Sequence, residues 1–551
     1  MIRRARFAAS AVARALAAGG LVAGGLLAAS ASGCFTGSDG LFPPTESLYF
    51  PTVIAVSPGR TSLYVANSDF DLQYNGGTVQ VMSIVDSDGL PGSRTLAEAV
   101  AVWVQASEVD PQVTTQQVCA SIGSVPNMDV TMFPGLCAPI FYQPLVRDFA
   151  TVGAFTSGMT LLPRQDSAGM RLFVTVRGDP SVTFFDVADD RDPNAIVSPC
   201  GQPFCLDCDA TGDERRCSVG HRIGESSVTN VRGLSMPTEP TGIAANPQVT
   251  GDSIVVAHQT EAAASLLVNR WDAGSTVPWP TLEFTLRDLP EGPLQVVAIP
   301  PPLLVKAAQA TITYRPGFVV GHESAPTLSV LRYEDDAAGS PPRPFLINAD
   351  ETAVTVQGEG IDTRGMAIDS TERDACEALQ DPTDVDGLAQ CAENFPLRFY
   401  AATRSPAALM VGTVEVVVSR TDDIVTSVTE FVSLDELVAL PLGPSGVYIG
   451  NIINKKGELE KRVFIVSFDS RAVTPYNPVL HEVEGVIKTG RGPFGLAFDT
   501  GVDSTGALRS HMYVSHFTDS YLGVVDLDRR RSTYGSILIS LGPPVPPREE
   551  Q

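Results

Sequence analysis

The sequence predicts an all-β chain: a seven-bladed β-propeller of four-stranded antiparallel blades with disulfide-stapled loop insertions. Three observations predict it. A short strand motif with a small or polar end returns seven times: Leu63-Tyr64-Val65-Ala66-Asn67, Leu172-Phe173-Val174-Thr175-Val176, Ile254-Val255-Val256-Ala257-His258, Phe318-Val319-Val320-Gly321-His322, Phe399-Tyr400-Ala401-Ala402-Thr403, Val447-Tyr448-Ile449-Gly450-Asn451 and Met512-Tyr513-Val514-Ser515-His516. Such repetition marks a closed repeat architecture. The first unit reads as strands joined by tight turns. With 44% hydrophobic and only 18% charged residues, the chain can bury a large core and is not a disordered polymer.

From the N-terminus, residues 1–33 read as an export signal. Arg3, Arg4, Arg6 and Arg14 make a basic start, and Ala15 to Ala29 is an Ala/Gly/Leu run, too short and small-residue-rich for a membrane span. Ala31-Ser32-Gly33-Cys34 resembles the bacterial lipobox, which implies clipping and lipidation of Cys34. Ordinary cleavage near Ala29–Ala31, leaving Cys34 a plain thiol, stays open beside it. Residues 34–48 form a polar tether, 49–541 the propeller and 542–551 a polar tail.

The first blade opens with Phe50 to Val56. Ser57-Pro58-Gly59-Arg60 turns the chain into Leu63–Asn67, and Tyr74-Asn75-Gly76-Gly77 turns it again, with residues that tolerate positive φ. Val79 to Ile84 alternates as a third strand, and Arg147 to Val152 supplies the fourth. Pro240-Thr241-Gly242-Ile243-Ala244 and Pro493-Phe494-Gly495-Leu496-Ala497-Phe498 open units three and seven. Third strands are expected at Ser181–Val187, Ala264–Val268, Thr327–Leu331, Gly412–Val418, Arg462–Phe468 and Gly523–Leu527. Four hairpin-joined strands per unit is the propeller blade. Insertions at about 86–142, 198–227 and 369–395 space the units unevenly. The first is expected to carry a helix over Thr95 to Val104, a run of good helix formers.

The stretches beginning Ser62-Leu63-Tyr64-Val65-Ala66-Asn67 and Gly492-Pro493-Phe494-Gly495-Leu496 resemble YVTN-type propeller repeats, and the lipobox resembles the lipoprotein members of that group. The resemblance spans Tyr49 to Leu541. It implies the fold; it does not imply a function, because propellers host enzymes, binders and scaffolds alike.

Of nine cysteines, setting Cys34 aside leaves Cys119, Cys137, Cys200, Cys205, Cys208, Cys217, Cys376 and Cys391. An even remainder in an exported chain reads as disulfides. Cys119 with Cys137 and Cys376 with Cys391 are natural pairs, and the middle four make two more of open connectivity. All eight fall in the insertions, where loops lack the ladders that hold the blades. Removing the signal's four Arg takes the formal net charge from −25 to −29. So acidic a surface repels phosphate backbones and anionic head groups. The expectation is a monomer held at a membrane by its lipid alone, binding no nucleic acid.

The aligned ends Asn67, His258, His322, Thr403, Asn451 and His516 are the candidate ligand-binding ring, at one mouth of the central tunnel. The competing reading is that short polar side chains there hydrogen-bond neighbouring turns. At a radius of roughly 10 Å, His516 would lie about 20 Å from His258 and His322, too far for one zinc ion, whose Zn–N bonds are about 2 Å. His258 with His322 and Glu323 remains a metal candidate. Cys205, Cys208, Cys217 and His221 have zinc-like spacing, although disulfides suit an oxidising setting better. Asp207 and Asp209 begin a weak calcium-loop imitation with Ser218 at the twelfth position, where a bidentate Glu belongs. Gly490-Arg491-Gly492-Pro493-Phe494-Gly495 matches a dinucleotide loop by letters only, since it leads into a strand rather than a helix. No nucleophile motif of the Gly-x-Ser-x-Gly or His-Glu-x-x-His kind is present. The expected function is therefore an envelope scaffold binding a protein, a glycan or a small ligand. A hydrolase or lactonase using His258, His322, His516, Glu323 and Asp69 is the alternative, and a structural calcium- or zinc-binding propeller a third.

Overall fold

The structure, a computed structural model, describes residues 41–542 except 46, 85–114, 122–123, 130–132, 136, 140–144, 166–168, 193–195, 225–228, 231, 249–250, 271–279, 310, 337–342, 356–360 and 503–507. Cys34 and the helix expected over 95–104 lie outside the described residues. From Phe42 the chain forms one compact unit, a seven-bladed β-propeller.

Each blade is an antiparallel sheet with its strands in chain order, and Thr313–Tyr314, from the connection within blade four, adds a short parallel edge to the last strand of blade five. Blade one comprises Pro51–Val56, Ser62–Asn67, Thr78–Ser83 and Val146–Thr151. Blade two comprises Thr156–Pro163, Met170–Val176 and Ser181–Val187, with a broken outer strand, Leu206–Asp207 and Arg222–Ile223, taken from the cysteine-rich insertion. Blade three is Pro240–Gln248, Gly251–His258, Ala263–Arg270 and Thr281–Leu286; blade four is Pro293–Ala298, Gly317–His322, Thr327–Asp336 and Arg343–Ala353. Blade five is Ile361–Asp369, Leu397–Ser405, Ala407–Thr421 and Ile424–Ala439. Blade six is Pro444–Ile453, Leu459–Ser467 and Ala472–Asn477, edged by Glu482–Val483 and Ile487–Lys488. Blade seven is Pro493–Val502, Leu508–His516, Tyr521–Asp526 and Ile537–Leu541.

The middle strands of the blades are buried on both faces, which is why they read as continuous Val/Ile/Leu runs rather than alternations. The first strands line the axis. Each packs against the first strand of the next blade, and that of blade seven against that of blade one. Among the described residues no strand is exchanged at the closure. The seam is held by packing of Leu48, Ile54 and Val65 with Tyr513, Val524 and Ile539, and by the Ser515 hydroxyl donating to the Thr52 carbonyl at 2.6 Å.

A repeated device shapes the axis. The first strands of blades two, three, five, six and seven carry Gly158, Gly242, Gly365, Gly446 and Gly495 two residues after the paired residue that precedes the register shift. A Cβ on Gly242 would lie 2.6 Å from the Leu294 carbonyl oxygen of blade four, and one on Gly365 would lie 2.5 Å from the Val447 amide of blade six. Glycine is required there because neighbouring backbones nearly touch.

The disulfides are Cys119–Cys137, Cys200–Cys205, Cys208–Cys217 and Cys376–Cys391. They point to an oxidising, extracytoplasmic setting. Cys119 and Cys137 join the core at the seam between blades one and seven. The second insertion adds to the outer edge of blade one, where Thr151 pairs Arg216. The helix Val385–Asn394 packs with Leu304 and the long last hairpin of blade five into a satellite core, and the fourth bridge ties it to the helix Thr371–Glu377.

Blade six departs from expectation. Val447 to Asn451 belongs to the first strand, not the second, and Arg462 belongs to the second strand, not the third. The register shows it: Pro444 pairs Ser467, as Pro51 pairs Asn67 and Pro493 pairs His516. Ser467, not Asn451, occupies the repeat's terminal position.

Candidate functional site

Every first strand starts the same way. A residue in the left-handed region stands at its entry: Phe50 (φ 49°), Phe155 (61°), Glu239 (51°), Gly292 (70°), Gly443 (75°) and Gly492 (66°) directly precede their strands, and in blade five Asp362 (63°) is the second residue of the strand. One paired residue follows and then a register shift, in all seven blades. In six blades the carbonyl of the left-handed residue accepts the amide just beyond the second strand, from Ser68, Arg177, Gln259, Glu323, Phe468 and Phe517. These two positions form a collar where the first strands begin.

The collar has two unlike halves. On blades one, two and seven, Phe50 and Phe70 lie 5.1–5.2 Å from Phe517, Phe70 lies 5.8 Å from Phe155, and Phe494 lies 6.0 Å from Phe517. Phe70 is 54% exposed. On blades two to five a chain of polar contacts runs from Glu239 to Arg177 (3.0 Å), to Gln259 (3.5 Å), to Glu323, to Arg364 and to Asp362. Arg404 and Asp469 continue it between blades five and six. The ionic side chains from Glu239 to Asp362 are a fifth to a third exposed, and Asp469 is half exposed. Bulky Phe50 and Phe155 in the left-handed region cost on the order of 1–3 kcal/mol each, and Phe50 is further restricted by preceding Pro51. That strain holds aromatic rings at the mouth where three blades use glycine.

The expected ring lies one residue short of this collar. His258, His322, Thr403 and His516 are fully buried and Asn67 nearly so. His258 Nε2 shares a hydrogen bond with Ser265 Oγ at 2.8 Å, and His322 Nε2 shares one with Ser329 Oγ at 2.9 Å. His516 Nε2 accepts the Gly490 amide at 3.2 Å, and its ring stacks on Tyr521 at 4.0 Å. Asn67 donates to Thr78 Oγ1, and Thr403 donates to the Pro406 carbonyl. Asn451 sits opposite Lys461 in the blade-six hairpin, away from the others' register. Burial drives the His258 and His322 pKa values down to about 4 and that of His516 to about 3, because a charged imidazole loses its hydration there. They are neutral struts that tie second strands to their surroundings.

In the second insertion, Cys205 and Cys208 belong to different disulfides. His221 is buried against Phe184, with Nδ1 bonded to that residue's carbonyl at 2.9 Å and Nε2 3.5 Å from Asp209. The zinc-like spacing therefore does not assemble a site. Asp207 Oδ1 accepts the Asp209 amide at 3.3 Å in a local turn. Among the described residues no three His, Cys, Asp or Glu side chains gather at one point.

At the opposite ends of the blades lies a cavity of about 600 Å³, lined by Gln165, Pro247, Pro301, Leu303, Lys306 and Tyr314. Its walls come from the first-to-second strand connections of blades two and four and from the end of blade three's first strand. The repeat pattern carries no signal for it, because those connections vary in length. The collar did have a signal: residues alternate in direction along a strand, so the position after each aligned polar end turns the other way.

No protein-family model matches the chain, and no curated protein matches it. Among solved structures, the chain is similar to Kuenenia stuttgartiensis hydrazine synthase at 11% identity, covering 91% of this chain and 99% of that one with a TM-score of 0.40. It is similar to Saccharomyces cerevisiae Sqt1 at 7% identity, covering 89% and 98% with a TM-score of 0.42. Apo AztD from Citrobacter koseri matches at 8% identity, covering 81% and 88% with a TM-score of 0.29.

Proposed function

We propose that this chain is an exported, lipid-anchored propeller of the YVTN-type lipoprotein group, and that it captures another cell-envelope component at its collar. One observation carries the reading: five phenylalanines from three blades gather at the mouth of a rigid wheel, with Phe70 presented to solvent, opposite a hydrogen-bonded arc of charged side chains. Apolar anchors beside oriented polar groups are how recognition surfaces combine affinity with orientation. The arc is already internally paired, so a partner meets a fixed polar pattern. The formal net charge of −25 favours a partner bearing positive charge, through faster encounter at low salt. For the hydrolase reading, the buried, hydrogen-bonded histidines are poorly placed as a base that must reach substrate.

The test is affinity capture from envelope extracts with the mature protein, run in parallel with Phe70→Ala and Phe517→Ala. A partner retained by the wild type and lost by both folded variants supports the reading. A partner retained equally by all three moves binding elsewhere on the wheel, and turnover of a lactone or phosphoester panel by all three replaces binding with catalysis.

A further inference from the structure

One wall of the cavity opposite the collar is braced from behind. Residues 299–303 leave the first strand of blade four and run along the cavity. Asn246, fully buried in blade three, donates its Nδ2 to the Ile299 carbonyl at 2.9 Å. Arg373, on the helix Thr371–Glu377, donates to the Pro300 carbonyl at 3.0 Å and to the Pro301 carbonyl at 3.4 Å. Glu377, one turn further on, accepts the Leu303 amide at 3.0 Å. Arg373 is 1% and Glu377 7% exposed. Burying ionisable side chains is costly, and here both hold one stretch of main chain. The Cys376–Cys391 bridge fastens their helix to its neighbour, so the blade-five insertion supports this wall.

The bracing decides what faces the cavity. Buried backbone groups must find partners, and these find them on the far side of the wall. Pro301 and Pro302 have no N–H to present. The inner surface is therefore apolar, built from Pro247, Pro301, Pro302, Leu303, Val305 and Ile312. Polar groups on it are few: two carboxamides, the Tyr314 side chain and the exposed ammonium of Lys306. The whole chain carries 63 acidic residues against 38 Lys and Arg. Yet among the described residues no Asp or Glu lines the cavity, and Lys306 is its charged group. That sign disfavours a cationic guest.

We propose that this cavity binds an aliphatic carboxylate, its hydrocarbon body against the proline and aliphatic walls and its head group at Lys306. This is independent of what the collar binds. A volume of about 600 Å³ suits a small molecule, and a wall already braced needs little ordering on binding. The body supplies most of the affinity, up to about fourfold per buried methylene. A contact with exposed Lys306 adds about two- to fivefold.

Calorimetry with the mature protein tests this, using octanoate, nonanoate and decanoate below their micellar concentrations, with octanol and octylammonium as neutral and cationic counterparts. The expected results are one saturable site, tightening with chain length, octanoate ahead of octanol by about two- to fivefold, and octylammonium weakest. Val305→Trp fills the cavity and should abolish binding; Lys306→Gln should make octanoate and octanol equal. Phe70→Ala, at the collar, should change nothing. Thermal melting reports folding of each variant, and Lys306→Gln, at an exposed position, keeps the test decisive if Val305→Trp does not fold. Absence of saturable decanoate binding in the wild type overturns the proposal. So does binding that persists in folded Val305→Trp, a preference for octanoate that persists in Lys306→Gln, or binding lost in Phe70→Ala.

Discussion

His258 and His322 provide the sharpest test of the buried-strut assignment. In the unfolded chain each imidazole titrates near 6.5; in the fold each titrates near 4. Because the folded value is depressed, the folded state resists protonation that the unfolded state accepts. Stability is fully present above about pH 6.5 and is lost as pH falls towards 4. The full shift corresponds to about 3 kcal/mol per residue, of which about 2 kcal/mol is lost between pH 8 and pH 5. The two side chains have different hydrogen-bond partners, so their contributions should nearly add, to about 4 kcal/mol. Urea unfolding of the wild type, His258→Gln, His322→Gln and the double variant at pH 8, 6.5 and 5 measures this. Glutamine can still reach the serine hydroxyl but does not titrate in this range. Each substitution should flatten the acid slope by about 2 kcal/mol, whatever its effect at pH 8. NMR titration should find both imidazoles neutral at pH 5 in the folded wild type. Unchanged acid slopes in all four proteins, with imidazoles titrating near 6.5, would refute the assignment and return these residues to a hydrated mouth.

Two further perturbations bear on the scaffold. Gly365→Ala places a methyl group against three backbone atoms of blade six at 2.5–2.6 Å; with no flexible side chain to yield, destabilisation should reach or exceed the roughly 1–3 kcal/mol of ordinary overpacking, read as a lower urea midpoint. Gly485→Ala, where a Cβ meets nothing within 4 Å but φ is 151°, is a steric comparison expected to cost less. Removing the Cys208–Cys217 bridge as a double serine variant opens a loop of sequence separation 9. It should cost about 2.5 kcal/mol and expose the outer edge of blade one to proteolysis near Thr151.

Much of the wheel was legible because a buried strand must be hydrophobic along its whole length and must end in a turn. The second strands of blades one to five and of blade seven stand where their motifs place them. Blade six misled because its first strand, with Tyr448 and a polar Asn451, carries the same letters as a second strand. The Pro444-Ser445-Gly446 opening, shared with Pro240-Thr241-Gly242 and Pro493-Phe494-Gly495, was the discriminating signal. The collar escaped by one residue for a related reason. Side chains alternate every residue, so His258 faces the interior while Gln259 reaches the arc. The bulge that fixes this direction leaves no mark in composition.

Local chemistry alone determined that this chain builds seven four-stranded blades and confines its cysteine pairs to insertions. Strand periodicity, turn residues and loop closure act over a few residues and are written in order along the chain. Which side chains meet at the mouth was decided only in three dimensions. Phe50 and Phe517, or Arg177 and Glu239, become neighbours because the ring closes and each first strand enters through a left-handed residue and a bulge. That direction comes from backbone packing between blades, which no single repeat contains.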